Sequence, residues 1–559
     1  MSTQKYIIQR TALFACFFIL LGVIVTTQYL RHAYITELRS DANGHYVTTL
    51  MAYDYIKAGF PGNPVAFAVD YFIHYPSIRI GNNPPFFYGL SSLWALITTD
   101  TIEAALFLTA ILGAIYCLIV FYWSAQLLGR WAGAFIAFIV AVLPTFQAVT
   151  GSFLIDIPIG IFSLAAALCY RDFLTNKSAS AAIWFSFAAA AALMIKLSAL
   201  FLAVMVLLTI IISGKFALLK HRYFWLPALL IGVLIMPWYI VTFDSVTEGA
   251  KTQWTILYPL KALTGYLLIL KDNLTLPGFI ALLVGLFDRI RFIRSGQNEK
   301  ISDHWTIVIA LFIAVIFFQI LIPANILERY LTAALGPAVI LSWQGALVSG
   351  RYISEAFGRR QILPERLRNK FPEMTVAALL VMILASSFPV EPQTGNQMAQ
   401  TAQKAYPALL PNNPSVLIAS DGARESSFIA QMAQLDQARP TAITIRGARL
   451  LGKEEGFMNV DYMPKFASPE EVLAELERLS IAMVVLDRSE KAQEWLHNRH
   501  IAWLIDNRPD LWIKISPSDN PAGDGDISIY ILKSSGQKNV DMPLLTETFR
   551  PNSGGFGKK

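Results

Sequence analysis

The sequence predicts an α-helical polytopic membrane protein, with about eleven transmembrane helices and a C-terminal α/β domain outside the membrane. Three observations lead to this fold class. Hydrophobic residues make up 55% of the 559 residues, charged residues only 15%, and the mean hydropathy is +0.48. Many apolar segments approach the roughly 20 residues that cross a bilayer. After residue 389 the composition shifts to that of a soluble protein.

Hydropathy and the distribution of basic residues give the predicted topology. The spans fall at 10–30, 103–128, 131–149, 156–173, 179–195, 197–213, 223–243, 275–293, 305–323, 329–348 and 372–388. Lysine and arginine concentrate in alternate connections, which the positive-inside rule assigns to the cytoplasm. We therefore expect a multi-pass protein of the plasma (inner) membrane with a cytoplasmic N-terminus and an extracytoplasmic C-terminal domain.

The first extracytoplasmic loop, residues 31–102, is long and polar, and we expect it to contain interfacial helices. Its segment 84–98 is apolar but short for a span. If this segment crossed the membrane, every later basic connection would move to the outer side. We therefore predict that it stays at the outer interface, where its aromatic side chains suit the headgroup region.

The sequence divides into a transmembrane unit (1–389), an extracytoplasmic α/β domain (390–536) and a flexible tail (537–559). Short apolar runs in the second unit predict strands at 416–420, 441–445, 482–487 and 527–532. A helix is predicted at 468–479, with Ser468 as N-cap and Glu471 completing a capping box. Cysteine gives no further guide, because Cys16, Cys117 and Cys169 all fall in predicted spans.

Two carboxylates are the candidate catalytic residues. Asp41 follows the first span, and Asp156 opens a later one with Pro158 two residues on. Each has a simpler explanation, because aspartate commonly caps a helix N-terminus. However, the topology places both at the outer membrane face, where an ionisable residue suggests function. If a divalent cation is used, these two residues are its expected ligands; no other metal site or cofactor is indicated.

Two cations are predicted at the same face, Lys196 and Arg329. Their simpler explanations are snorkelling for Lys196 and an ion pair with Glu328 or interfacial anchoring for Arg329. Read functionally, they are placed to bind a phosphate at the membrane surface, arginine as a fork and lysine as a point charge. His45 and His74 are weaker candidates, since most loop histidines are only polar residues.

Other classes of function find little support in the sequence. No basic stripe carries interleaved aromatic residues, so a nucleic-acid partner is not expected. There is no Walker loop, HExxH or GxSxG motif. A transporter or flippase-like protein would place polar residues near the bilayer midplane. A non-catalytic scaffold that displays the C-terminal domain would not need two acids and two cations at one face.

Four short motifs resemble the GT-C fold membrane glycosyltransferases, in particular the protein O-mannosyltransferase and aminoarabinose transferase group. They cover roughly residues 1–350. In order, the motifs are Asp41 with Tyr46, Pro84 and Pro85 with Tyr88, Asp156 with Pro158, and Arg329 with Tyr330. The chain departs from the family pattern at Ala42, where a second acid is common, and at Asn82 and Asn83, where a basic residue often precedes the proline pair.

The resemblance implies a transferase that uses a polyprenyl-phosphate sugar donor at the outer membrane face. Asp41 would act as base, with Asp156 as the second catalytic carboxylate. Lys196, Arg329 and Tyr330 would bind the donor phosphate. The acceptor, a lipid, a glycan or a protein, would lie against residues of the first loop. These residues are His45, Tyr46, His74, Asn83, Pro84 and Tyr88.

Overall fold

The structure is a computed structural model that describes residues 3–39, 41–78, 81–248, 255–323, 325–359, 364–453, 462–515 and 527–549. In these ranges, fifteen helices form the membrane part. They are α1 (Thr3–Leu30), α2 (Asp41–Lys57), α3 (Pro64–His74), α4 (Phe86–Ile97), α5 (Ile102–Leu128), α6 (Arg130–Val142), α7 (Pro144–Thr150), α8 (Asp156–Asn176), α9 (Ala179–Leu193), α10 (Phe201–Ser213), α11 (Leu226–Glu248), α12 (Tyr258–Arg294), α13 (Glu299–Leu321), α14 (Thr332–Arg359) and α15 (Glu365–Ser387).

The predicted helical membrane architecture is confirmed. Every predicted span coincides with a helix or a helix pair. Within the described ranges, eight helices are long and apolar enough to cross a bilayer, and the pair α6 and α7, bent by 64°, makes a ninth. The helices α9 and α10 are shorter and apolar. The predicted number of about eleven spans counts these two as well.

The helix α4 corresponds to the segment that the topology kept at the outer interface. Its 12 residues extend about 18 Å, well below the roughly 30 Å hydrocarbon core of a bilayer. The backbone N–H of Phe86, at its start, donates to the carbonyl oxygen of Met194 at 3.3 Å. The first loop is thereby joined to the connection between α9 and α10.

The segment predicted as an external loop at 244–274 is largely helical. The helix α11 continues to Glu248 and α12 already begins at Tyr258; residues 249–254 lie outside the described residues. The helix α12 is interrupted at Thr275 (φ 64°, ψ 165°). Pro277 follows two residues later, and proline cannot donate the hydrogen bond that would continue the helix. Hydropathy detected only the part of α12 after this break.

The helices α12 and α14 approach closely because glycines face each other. A Cβ atom built on Gly285 would lie 2.1 Å from the carbonyl oxygen of Leu341. One built on Gly345 would lie 1.8 Å from the carbonyl oxygen of Ala281. Small residues at such crossings let helix backbones pack directly in membranes. This contact fixes α14, whose preceding turn carries part of the site described below.

The C-terminal unit contains eight helices and seven strands in its described residues. They are α16 (Gln397–Ala405), β1 (Ser415–Ala419), α17 (Gly422–Leu435), β2 (Ile443–Arg446), α18 (Gly447–Leu451), β3 (Gly452–Lys453), β4 (Met463–Pro464), α19 (Pro469–Arg478), β5 (Met483–Asp487), α20 (Glu490–Gln493), α21 (Leu496–Asn507), β6 (Trp512–Ile515), β7 (Ile527–Leu532), α22 (Lys533–Gly536) and α23 (Met542–Phe549).

These elements form the predicted α/β domain around a mixed five-stranded sheet of order β2-β1-β5-β7-β6. The strands β2, β1 and β5 are parallel, whereas β7 runs antiparallel to β5 and β6. All four predicted strands are present, and β6 was not predicted. The Ser468 Oγ accepts the N–H of Glu471 as expected, at 3.3 Å, but the Glu471 carboxylate accepts from Ala467 instead of Ser468.

The predicted tail contains folded structure. The helix α23 falls within 537–559, and its Leu545 and Phe549 are buried against the domain core. The polar composition of this segment concealed two well-spaced apolar residues that are sufficient to dock one helical turn. Residues 550–559 lie outside the described residues.

The glycine crossing gives a first testable prediction. The substitution Gly285→Ala forces α12 away from α14, since a backbone carbonyl occupies the space of the new methyl group. We expect a loss of stability of about 1–3 kcal/mol, seen as a lower thermal unfolding temperature in detergent. A Cβ atom built on Gly232 in α11 would meet no described atom within 4 Å, so Gly232→Ala is the matched control. Equal unfolding temperatures for both variants would contradict the close packing.

Candidate active site

Four helix starts bring the predicted site residues together. Asp41 is the first residue of α2, and Asp156 is the first residue of α8. Arg329 and Tyr330 belong to a 3₁₀ turn, Glu328–Leu331, that leads into α14. Lys196 precedes a second such turn, Leu197–Leu200, that leads into α10. Helix N-termini carry partial positive charge, so this arrangement favours bound anions.

The centre of the site is an ion pair between Arg329 and Asp41. An Nη2 hydrogen of Arg329 is donated to Asp41 Oδ2, and the two side chains are only 13% and 17% exposed. Glu328, the alternative partner of Arg329, instead accepts a hydrogen bond from Thr145 Oγ1 at 3.1 Å. The pair of Arg329 and Asp41 joins the loop after the first span to the start of α14.

Asp156 is the second carboxylate that acts on Arg329. It is 5% exposed, and its charge interacts with the Arg329 guanidinium, as that of Asp41 does. The N-cap position of α8 is taken by Ile155, which provides no side-chain cap. Because a buried carboxylate is costly without a compensating partner, the nearby guanidinium explains Asp156 better than helix capping.

Lys196 and Arg329 share one aromatic ring. The Lys196 Nζ lies 4.5 Å from the centroid of the Tyr330 ring, and the guanidinium carbon of Arg329 lies 5.3 Å from it. Cation–π attraction of this kind is worth about 0.5–2 kcal/mol, which helps to hold two like charges near each other. The predicted cations are therefore neighbours, although 133 positions separate them in the sequence.

The first-loop candidates divide into two groups. His45, one helical turn after Asp41, is 3% exposed, and its Nδ1 is 2.9 Å from the Tyr88 hydroxyl. Tyr46 points elsewhere: its hydroxyl donates to the carbonyl oxygen of Asp100 at 2.6 Å. Adjacent residues of a helix differ by about 100° in direction. Tyr46 therefore supports the loop and does not share the environment of His45.

The three remaining first-loop residues, His74, Asn83 and Pro84, lie in two different places. The carbonyl oxygen of His74 accepts a hydrogen bond from Thr444 Oγ1 of β2 at 2.6 Å, so His74 lies against the C-terminal domain. Pro84 is buried and Asn83 is half-buried, just before α4. Of these, only the Asn83–Pro84 element adjoins the connection that carries Lys196.

The charged side chains that the structure describes at this site form an ion-pair network. Among the described residues, no group of three His, Cys, Asp or Glu side chains has the geometry to hold a metal ion. Asp41 and Asp156 together offer two carboxylates, and both interact with the guanidinium of Arg329. A cation between them would compete with that guanidinium.

A second charged cluster, which the sequence did not reveal, joins the first loop to the C-terminal domain. Arg439, before β2, forms ion pairs with Asp54 of α2 and Asp100 between α4 and α5. Its partners precede it by 385 and 339 positions. No periodicity or motif connects residues so far apart, so only the folded structure shows this cluster.

The Arg329–Asp41 pair is testable by a double-mutant cycle with Asp41→Asn and Arg329→Gln. Because the two groups contact each other in a partly buried site, we expect a coupling free energy of about 0.5–3 kcal/mol in thermal unfolding. Lys215 follows the far end of α10 and is remote from Asp41. The effects of Asp41→Asn and Lys215→Gln on the free energy of unfolding should therefore add within about 0.5 kcal/mol. Additivity in both cycles would argue against the ion pair.

Comparisons with known proteins give a family match over part of the chain and two solved structures of similar fold. The family model for dolichyl-phosphate-mannose-protein mannosyltransferases matches residues 82–241, which include the proline pair, Asp156 and Lys196. ArnT from Cupriavidus metallidurans in the apo state has a TM-score of 0.58 at 12% identity, covering 92% of this chain and 97% of that chain. A comparison with curated proteins gave no match.

A second solved structure has a similar fold. The oligosaccharyltransferase from Archaeoglobus fulgidus has a TM-score of 0.54 at 13% identity, covering 85% of this chain and 69% of that chain. At such identities the likeness is one of fold. The chain thus has the GT-C fold of membrane glycosyltransferases and resembles, as its motifs predict, the protein O-mannosyltransferase and aminoarabinose transferase group.

Proposed function

We propose that this protein is a membrane glycosyltransferase that moves a sugar from a polyprenyl-phosphate donor to an acceptor at the extracytoplasmic membrane face. The fold and the family match over residues 82–241 support glycosyl transfer in general. One observation carries the finer proposal: Asp41 binds Arg329, the charge of Asp156 acts on the same guanidinium, and Lys196 lies beside it on the ring of Tyr330. This group combines a carboxylate that can act as base, Asp41, with two cations that can bind a phosphate, Lys196 and Arg329.

The donor phosphate is assigned to Arg329 and Lys196. The Arg329 Nε is buried and has no hydrogen-bond partner among the described residues, while Nη2 binds Asp41. A phosphate oxygen would accept from this N–H, and the Lys196 ammonium would add a second charge. ArnT from Cupriavidus metallidurans has also been solved with bound undecaprenyl phosphate, with a TM-score of 0.55, 12% identity and coverage of 95% of this chain and 98% of that chain.

The proposed reaction is a displacement at the anomeric carbon of the sugar. An acceptor hydroxyl or amine forms the new bond to this carbon, and the bond from the carbon to the phosphate oxygen breaks. The proton of the acceptor passes to Asp41, and the lipid phosphate leaves with the bonding electron pair. Lys196 and Arg329 stabilise the negative charge that develops on the leaving phosphate. Atoms and charge balance without a cofactor.

The ion pair also links donor binding to the activation of Asp41. Without donor, the positive charges of Lys196 and Arg329 are matched by Asp41 and Asp156. A phosphate that binds the Arg329 Nε places negative charge near Asp41, which makes the carboxylate a stronger base for the acceptor proton. The charge of Asp156 also attracts the Arg329 guanidinium.

The acceptor is assigned to the side of the site formed by the first loop. His45 lies one turn after Asp41 in α2 and contacts the Tyr88 hydroxyl of α4. Phe86, just after the Asn83–Pro84 element, donates its N–H to Met194, two residues before Lys196. At Ala42, where a second acid is common, this chain has a fully buried methyl group. The acceptor class, whether lipid, glycan or protein, is decided by transfer assays on fractionated cell envelopes.

Asp41→Asn should abolish transfer, because an amide cannot accept the acceptor proton. We expect a loss of about 10²–10⁴-fold in turnover, measured with protein in nanodiscs, radiolabelled polyprenyl-phosphate sugars and an envelope extract as acceptor. Asp70→Asn is the control, since Asp70 is an exposed aspartate of the same loop. If Asp41→Asn remains monodisperse and retains full transfer, Asp41 is not the base.

Lys196→Ala and Arg329→Ala should weaken use of the lipid donor. A charge-assisted hydrogen bond is worth about 1.5–3 kcal/mol, so each change should reduce affinity for undecaprenyl phosphate by about 10–100-fold. Titration of purified protein with undecaprenyl phosphate measures this effect directly. Lys261→Ala, which removes an exposed lysine near the start of α12, should leave the affinity unchanged. Unaltered affinity in both site variants would refute the phosphate assignment.

A further inference from the structure

Arg439, in the C-terminal domain, binds the first loop through a guanidinium whose hydrogen-bond donors are all used. Its side chain is 5% exposed. The Nε donates to Asp54 Oδ2 at 2.8 Å, and Nη2 donates to Asp54 Oδ1 at 3.3 Å and to Asp100 Oδ2. The Nη1 donates to the carbonyl oxygens of Ala433 and Asp436 at 3.1 and 3.2 Å. All five N–H groups of the guanidinium are therefore used.

The loop that carries Arg439 is itself held firmly by Asp436. The Asp436 carboxylate accepts from the backbone N–H groups of Thr441 and Ala442, both at 2.8 Å, and from the hydroxyl of Tyr75 in the first loop. Burial alone would raise the pKa of Asp436, but the hydrogen bond from Tyr75 and those from the backbone outweigh burial and lower it. Asp436 is therefore ionised near neutral pH, and its hydrogen bonds hold the loop that carries Arg439 in place.

The two partners of Arg439 lie on elements that position Asp41. Asp54 lies 13 residues after Asp41 in the same helix, α2, a distance of about 20 Å along the axis. The backbone carbonyl oxygen of Asp100 accepts a hydrogen bond from the hydroxyl of Tyr46, which lies near the Asp41 end of α2. A helix of this length behaves as a rod, so a fixed far end determines where its first residue points.

We propose that Arg439 is a positioning residue through which the C-terminal domain sets the place of Asp41 relative to Arg329 and the donor phosphate. This inference rests on the proposed function, since it assigns Asp41 the role of base. Arg439 itself contacts neither donor nor acceptor. The lipid phosphate is assigned to Lys196 and to the Nε of Arg329, which lie on other elements than α2, whereas Asp41 binds the separate Nη2 of Arg329.

Arg439→Gln removes the cation that binds Asp54 and Asp100, so the far end of α2 loses its anchor. Misplacement of a reacting group by about 1 Å can cost about 100-fold in rate. We therefore expect kcat to fall about 10–100-fold, with affinity for undecaprenyl phosphate unchanged. Arg439→Lys keeps the charge but not the fork geometry, so we expect an intermediate loss.

A matched control is available within the same domain. Arg488 donates to both oxygens of Asp506 at 3.0 and 2.7 Å, and both residues belong to the C-terminal domain. Arg488→Gln removes a fork-to-carboxylate pair that is more exposed to solvent and does not touch the first loop. Its kcat should equal that of the unmodified protein.

The outcomes separate the inference from the proposed function. If the unmodified protein transfers no sugar, the proposed function fails. If it transfers sugar but Arg439→Lys and Arg439→Gln keep full kcat, only the positioning role fails. A fall in donor affinity that parallels the fall in kcat also overturns it, because the damage then extends to the whole site. If Arg439→Gln does not fold, the split between kcat and donor affinity in Arg439→Lys decides.

Discussion

The ion pair between Arg329 and Asp41 is the interaction on which the site depends. Its partners are 288 positions apart, and it joins the start of α2 to the start of α14. Removing charges from water costs several kcal/mol per ion unless the geometry compensates. A charge-assisted hydrogen bond from an arginine to a carboxylate gives direction as well as energy. The pair therefore specifies how the first loop sits on the membrane helices, more than it adds to stability.

The sequence predicted those features that depend on local physics. Spans follow from the length of apolar runs, and β1 and β5 follow from short, fully buried runs of branched residues. The edge strand β6 escaped detection because it has only four residues and Lys514 interrupts its apolar run. The break at Thr275 divided one helix into a segment that hydropathy recognised and one that it did not.

Pairing between distant residues had no local signal. Glu328 is adjacent to Arg329 and was the plausible partner from sequence, but the fold gives Glu328 to Thr145 and Arg329 to Asp41. Convergence of the four charged residues on one face was nevertheless predictable, because the positive-inside rule assigns sides to loops. Topology does not give the rotation of a helix about its own axis, which decides the direction of each side chain. His45 and Tyr46 are adjacent in α2, yet they reach different environments.

The helix α2 is held at its two ends by arginines from different parts of the chain. Arg329, at the start of α14, binds Asp41 at the first residue, and Arg439, from the C-terminal domain, binds Asp54 in the last turn. Each contact is largely shielded from solvent, so neither carboxylate can leave its arginine without exposing or stranding a charge. A rigid helix fixed in this way transmits displacement. If the C-terminal domain moves and takes Arg439 with it, one of two things must follow. Either Asp41 shifts relative to Arg329, or one of the ion pairs Arg329–Asp41 and Arg439–Asp54 breaks.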